Sequence, residues 1–298
     1  MNKQFRGIIS LLLATIIWGS AFVAQSVGMD HIGPFTFQAV RCGLAVIGLL
    51  PVIWLFDRSK SDGKTFLSRW LDKELWKAGI LCATPLFLAI NLQQIGIVYT
   101  DAGKSAFLTA MYIIIVPLLG LFLGRKVSKT IFLSVGLAVA GLYLLSCVGV
   151  TQMNKGDIYL IACAFMFALQ ITFVDRFATS VDALRLNCLQ ALFCSAASAA
   201  AMFLWESPNM ENILICWLPL SYAGFLSMGA AYSLQILGQK HLEPTAASLI
   251  MSLESVFAVL FGWLLLQETM TSYETAGCCL MFIAVILSQI QPKKSRCN

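Results

Sequence analysis

The chain has 298 residues, 59% of them hydrophobic and only 12% charged, against about 25% charged in an ordinary soluble domain. With a mean hydropathy of +0.81, these values exclude a soluble enzyme or a nucleic-acid-binding module and point to an integral membrane protein. The net charge of +5 is therefore read as a topology signal. Crossing a hydrocarbon core takes about 20 helical residues, and a helix satisfies its backbone groups within the segment. In chain order, ten spans are predicted at 7–27, 34–56, 76–98, 101–124, 130–149, 157–174, 184–205, 214–239, 243–267 and 272–291. The first follows Lys3 and Arg6 as a signal peptide would. It stays apolar to Val27 without a small-x-small cleavage site, so it is read as a retained span. The longest link, DRSKSDGKTFLSRWLDKELWK at 57–77, has room for a short interfacial helix.

Basic residues set the orientation. With the N-terminus in the cytoplasm, seventeen of the twenty Lys and Arg fall inside. Lys104 and Lys155 fall near the outer side, and Arg41 lies within the second span. Both termini are thus expected in the cytoplasm, and the membrane is expected to be that of the cell surface. Ten cysteines are scattered through the runs without a C-x-x-C or Cys/His metal spacing. They are expected to pack as small hydrophobes, and no cofactor or metal is expected.

The chain also repeats itself. NLQQIGIVYTD at 91–101 and SLQILGQKHLE at 233–243 align at a constant shift of 142 residues. Leu92, Gln93 and Gly96 meet Leu234, Gln235 and Gly238, and Asp101 meets Glu243. The shift continues through Leu118, Gly120 and Leu123, which meet Leu260, Gly262 and Leu265. Gly136 and Gly277 match with a one-residue slip, and GIISLLLATIIWG compares with GDIYLIACAFMFA. Two halves, 1–150 and 151–298, would each hold five spans. An odd number inverts the second half, as in many secondary transporters whose substrate site lies at the midplane between repeats. The expected fold is all-α: ten transmembrane helices as two inverted five-helix repeats.

The chain resembles the EamA-type, ten-span branch of the drug/metabolite transporter superfamily over nearly its whole length. The likeness is carried by ATIIWGSAF at 14–22, AGKSAFLTAMYIIIVPLLGLFLG at 102–124 and AASLIMSLESVFAVLFGWLLLQETMT at 246–271. It implies a carrier, most often an exporter, of amino acids, related metabolites or drugs. The family often has proline after the acid at 254 and after the equivalent Tyr112. Ser255 and Ile113 stand there instead, so no proline-driven kink is expected. The acid common at the end of the fourth span is Arg125 here, while Glu268 keeps it in the ninth.

Glu254 is the lone acid in AASLIMSLESVFAVLFGWLL. It lies eleven residues beyond Glu243, about 16 Å along a helix. An ionised acid facing lipid at that depth costs at least about 3 kcal/mol. It must face the bundle interior, carry a proton, or have a partner. Burial raises a carboxylate pKa by up to about 3–5 units, which suits a site exchanging a proton for substrate. The alternative is a permanently paired or protonated structural acid. Arg41 either snorkels to the outer interface or supplies a counter-charge in the cavity, for Glu254 or for a substrate carboxylate. Lys104, near Asp101, is an interfacial cation or a second charge for such a substrate. Gln93 and Gln235 should face each other across the repeat axis, either bonding helix to helix or lining the path. Asn91 is a lesser candidate. Trp18, Tyr112, Tyr232 and Trp263 are candidate aromatic walls, or packing residues and interface anchors. Ser248, Ser252, Ser255 and Gly262 permit close helix contact.

The leading reading is a carrier with a small-molecule substrate in a lipid bilayer and no nucleic-acid partner. A homodimer is neither required nor excluded. An embedded enzyme is disfavoured, because His31 and His241 both lie near loops and no phosphate-cradling motif follows a strand. A channel predicts flux that does not saturate.

Overall fold

The computed structural model describes residues 2–59, 63, 65–100, 102–125, 127–146, 154–266 and 271–289. Asp101 and Glu268, both named above, lie outside them, as do Lys60, Lys64, Lys126 and the basic residues after 289. Among the described residues the fold is all-helical. Eight helices are long and apolar enough to cross a membrane, and Lys129–Leu145 is a shorter apolar one. The ten spans read from the sequence are thus met by eight, plus this shorter helix. The segment expected as a span at 214–239 turns at Cys216 and then runs as α-helix, π-helix and α-helix over 217–239; it is not among the eight.

The helices begin where capping chemistry dictates. α1 (Lys3–Met29) is capped by Asn2. α2 (Pro34–Arg58) starts with proline in its first turn, where the missing N–H costs nothing. α3 (Phe66–Trp70) is the short helix expected in the long link, and α4 (Lys73–Ile97) is capped by Asp72. α5 (Ala102–Ala110) and α6 (Tyr112–Phe122) together make one span, followed by α7 (Lys129–Ser146). α8 (Lys155–Phe177) opens with a reciprocal capping box between Asn154 and Asp157. α9 (Ala183–Trp205) is capped by Asp182. Then come α10 (Met210–Ile215), α11 (Trp217–Ser221), a π-helix (Tyr222–Ala231) and α12 (Tyr232–Gln239). α13 (Pro244–Met251), α14 (Glu254–Leu266) and α15 (Ser272–Gln289) are the last described helices.

Packing partners come in matched sets. α1 packs along the π-helix and α12, while α8 packs along α4. α1 also packs on α13 and α14, and α8 packs on α5 and α6. α2 packs against α9, and α7 against α15. The first two crossings use the same chemistry. A Cβ added to Gly7 would lie 3.0 Å from the Gly238 carbonyl, and one on Gly156 would lie 2.8 Å from the Gly96 carbonyl. Buried Leu11 fills the space over Gly238, and buried Leu160 fills it over Gly96. Small residues let these backbones approach closely in lipid, where apolar area alone does not hold helices together.

Two spans are interrupted at corresponding places. α5 gives way to α6 at Met111, and α13 gives way to α14 at Ser252–Leu253. The breaks occur at these points although no proline stands there. Without proline, the turn tightens through i→i−3 bonds: Met111 N to Leu108 O at 3.3 Å, and Leu253 N to Ile250 O at 3.1 Å. The Ser252 hydroxyl also donates to Leu249 O at 2.8 Å, and such back-bonding bends helices. Tyr112 and Glu254 are therefore the first residues of α6 and α14.

Candidate functional site

The broken spans and the π-helix converge on one buried chamber. α1 contributes Trp18, Phe22 and Gln25, and α2 contributes Arg41. Gln93 reaches in from α4 and Tyr112 from α6, with Phe167 and Ile171 on α8. The wall is closed by Ser227 of the π-helix, Tyr232 and Gln235 of α12, Met251 and Glu254. Its volume is about 30 Å³, room for about two water molecules, so a solute requires the lining helices to part. A larger cavity, about 450 Å³, opens at one end of the bundle beside Arg125, Asp175 and Glu243.

Glu254 is 5% exposed. The Tyr112 hydroxyl donates to its Oε1 at 3.0 Å, and these residues are the 142-residue equivalents. Tyr112 in turn stacks edge-on against Phe167 at 6.5 Å. Trp18 meets Tyr232 in the same way at 5.0 Å.

Arg41 is only 2% exposed, so the snorkelling alternative is corrected: the guanidinium turns into the bundle. Its Nη1 donates to Gln25 Oε1 at 2.7 Å, while its Nε is buried without a partner. No ion pair joins Arg41 to Glu254 or to any other described acid. A cation at a helix centre costs at least about 2.5 kcal/mol even on the most lenient insertion scale. The fold retains it beside a neutral amide, with no described acid paired to it. Gln94, whose Nε2 donates to Gln25 O at 3.2 Å, steadies that amide's own backbone.

The duplicated glutamines both line the chamber but do not bond to each other. Gln93 donates to Thr109 Oγ1 at 3.3 Å. Gln235 donates to Gln170 Oε1 and Gln239 Oε1, each at 3.0 Å, and its own Oε1 is buried without a partner. Ser227, in the π-helix, lines the chamber. The carbonyls of Met228 and Gly229 accept from Asn187 Nδ2 at 2.9 Å each.

Three sequence candidates lie elsewhere. Lys104 pairs with Asp157 at 2.8 Å, at the start of α8. Asn91 donates to Ser198 Oγ at 3.0 Å between α4 and α9. Trp263 is 50% exposed on the outer surface of α14. Sequence spacing alone did not separate inward from outward faces at these three positions. Gln25, Phe22, Phe167, Ile171, Ser227 and Met251 were missed. Gln25 alone carried a clue, as an amide inside an apolar first span.

Known proteins share this architecture. A solved crystal structure superposes with a TM-score of 0.76 at 15% identity, covering 95% of this chain and 96% of that one. A protein of Archaeoglobus fulgidus named an uncharacterized transporter is 29% identical over 97% of this chain and 87% of its own length. The Bacillus subtilis transporter YoaV, also so described, is 25% identical over 95% and 97%. A WAT1-related chloroplastic protein of Arabidopsis thaliana is 23% identical over 93% and 68%. These relatives are named as transporters where their names state a role. The pattern of the EamA-like transporter family matches residues 5–147 and again residues 154–289. The chain belongs to the EamA-like transporter family.

Proposed function

We propose that the protein carries a small organic solute, an amino acid or related metabolite, through this chamber by alternating access in the cell membrane. The chain then forms ten spans in two inverted repeats, 1–150 and 151–298, with α11, the π-helix and α12 as the eighth span and both termini cytoplasmic. The observation that carries the reading is the chamber itself. It gathers a buried acid and a buried, acid-free guanidinium between two spans broken at equivalent residues. Broken spans at a repeat interface are how secondary transporters expose polar groups at mid-membrane. The matched crossings of α1 with α12 and α4 with α8 support the repeat.

Export is the proposed direction. The larger cavity opens beside Arg125 and Glu243, on the face assigned to the cytoplasm by its basic loops, where an exported solute would load. Glu254 is the proposed proton site, held by Tyr112 and released toward one side when solute binds. Counterflow of labelled amino acids and nucleosides into proteoliposomes tests the reading. Saturable, solute-specific exchange supports it. Flux that never saturates supports a channel, and chemical turnover of the solute in detergent supports an enzyme. Glu254→Gln should leave exchange measurable and abolish proton flux; unchanged coupling rejects the proton role.

A further inference from the structure

The larger cavity and the chamber share three helices. On α6, Tyr112 lines the chamber and Val116, one turn on, lines the cavity. On α8, Phe167 and Ile171 face the chamber while Thr172 and Asp175 face the cavity. On α13, Thr245 lines the cavity and Met251 the chamber, about 9 Å apart along the helix. Between the two spaces Val116 and Ile171 are each 2% exposed and Ser248 is fully buried. A solute passing from cavity to chamber must therefore part these packed helices.

An ion pair on the cavity wall ties two of them together. Arg125 Nη2 donates to Asp175 Oδ2 at 2.9 Å, which joins the end of α6 to the inner end of α8. Arg125 is fixed to its helix: Gly124 turns the chain at φ +76°, and Arg125 N donates back to Gly120 O at 2.9 Å. Glu243, at the start of α13, is the other acid lining this cavity. The outer ends of the same two spans are tied by Lys104 and Asp157 at 2.8 Å. The two ties differ in their access to water. The Lys104 and Asp157 side chains are 13% and 3% exposed, and those of Arg125 and Asp175 are 44% and 17%. A partly exposed pair is weak and screened by salt, so the inner tie is the one that breaks and remakes readily. The break at Met111 separates the two ties along the span, so α6 can leave α8 while α5 stays. We infer that Arg125 and Asp175 are the latch of the entrance on the face assigned to the cytoplasm: their pair holds α6 against α8, and its rupture opens the way from the cavity into the chamber. The inference rests on the transport reading, but the opening it describes is measured without transport.

The test is chamber labelling of the full chain in proteoliposomes, with Ser227→Cys on a cysteine-free background and an impermeant maleimide added on one side at a time. Arg125→Gln and Asp175→Asn should each speed labelling from the cytoplasmic side by about two- to fivefold, the factor a partly exposed pair represents, without speeding it from the outer side. Arg125→Asp combined with Asp175→Arg rebuilds the pair in reverse and should return the rate to that of the parent. Raising salt from about 0.05 to about 0.5 M should speed the parent and leave Arg125→Gln unchanged; the parent's response alone tests the latch should the variants fail to fold. With Ser227 retained, Arg125→Cys and Asp175→Cys bridged by a short bifunctional maleimide should stop counterflow. Cytoplasmic labelling unchanged in both single variants, equal acceleration from both sides, a charge swap as fast as the single variants, a parent rate indifferent to salt, or counterflow that survives the bridge each overturns the inference. Saturable counterflow alongside such a result leaves the transport reading standing, whereas a thiol that reacts from neither side in any of these proteins overturns both.

Discussion

Gly19→Ala should loosen one face of the bundle. The added Cβ would lie 2.4 Å from Phe257 Cβ and 2.8 Å from the backbone nitrogen of Ala258. Neither atom is the free end of a flexible side chain. α1 and α14 must therefore part by about 1 Å to reach ordinary contact, and forced overpacking of this kind costs about 1–3 kcal/mol. The equivalent position on α8 is Ala168, fully buried with its methyl group in place, so the α1–α14 contact is the tighter of the two. If that contact seals one side of the chamber, a penalty of this size shifts the open–closed balance by about 5–150-fold. The assay uses Ser227→Cys on a cysteine-free background in proteoliposomes, with a membrane-impermeant maleimide added on the outer side. Gly19→Ala should speed labelling and lower the thermal midpoint. Gly136→Ala, where nothing lies within 4 Å of the added Cβ, should do neither. Equal labelling rates and midpoints for all three proteins would refute the packing argument.

Other outcomes depend on single contacts. Glu206 accepts from Phe35 N and Thr36 N at 2.8 Å each and from Thr36 Oγ1 at 2.6 Å. Glu206→Ala should cost about 2 kcal/mol in thermal or denaturant unfolding, with Glu206→Gln in between. Tyr112→Phe should destabilise by about 1 kcal/mol and lower the exchange rate, whereas Trp263→Ala, on the outer surface, should leave the exchange rate unchanged in counterflow. Lys104→Gln should lower the thermal midpoint through loss of the Asp157 pair while the exchange rate in counterflow stays the same. His241, in the turn between α12 and α13, has its pKa lowered first by burial and then by Lys240, Lys3 and Arg6. The folded state therefore binds its proton less readily than the unfolded state. Its contribution is present above the ordinary histidine range and is lost as pH falls through it. His241→Gln should flatten the acid side of the stability profile measured by thermal melts.

Hydropathy carried most of the fold, and the structure adds the caps. The helix starts at Pro34, Asn154 and Pro244 are dictated by local chemistry, and the link at 57–77 does hold a short helix. Hydropathy did not carry the interruptions. Met111 and Ser252–Leu253 break their spans through i→i−3 bonds that no proline announces. The π-helix at 222–231 has two of its carbonyls bonded by Asn187, some forty residues away in sequence. At the site, Glu254 and Arg41 were legible because a charge in an apolar run has few explanations. Gln93 and Gln235 were legible because the repeat marks them. Lys104 and Asn91 read the same way along the chain, yet their partners Asp157 and Ser198 come from distant helices that sequence spacing does not reveal. Phe167 and Ile171 face the chamber rather than lipid only through the packing of α8 on α4.

The most direct measurement is the accessibility of the chamber from the two sides of the membrane. With Ser227→Cys on a cysteine-free background in oriented proteoliposomes, an impermeant maleimide should react from either side, and exchange partners inside or outside should shift which side reacts. Modification should stop counterflow. A thiol reached from neither side during active exchange, or a modified protein that exchanges solute at the original rate, would contradict the account of this chamber as the transport path.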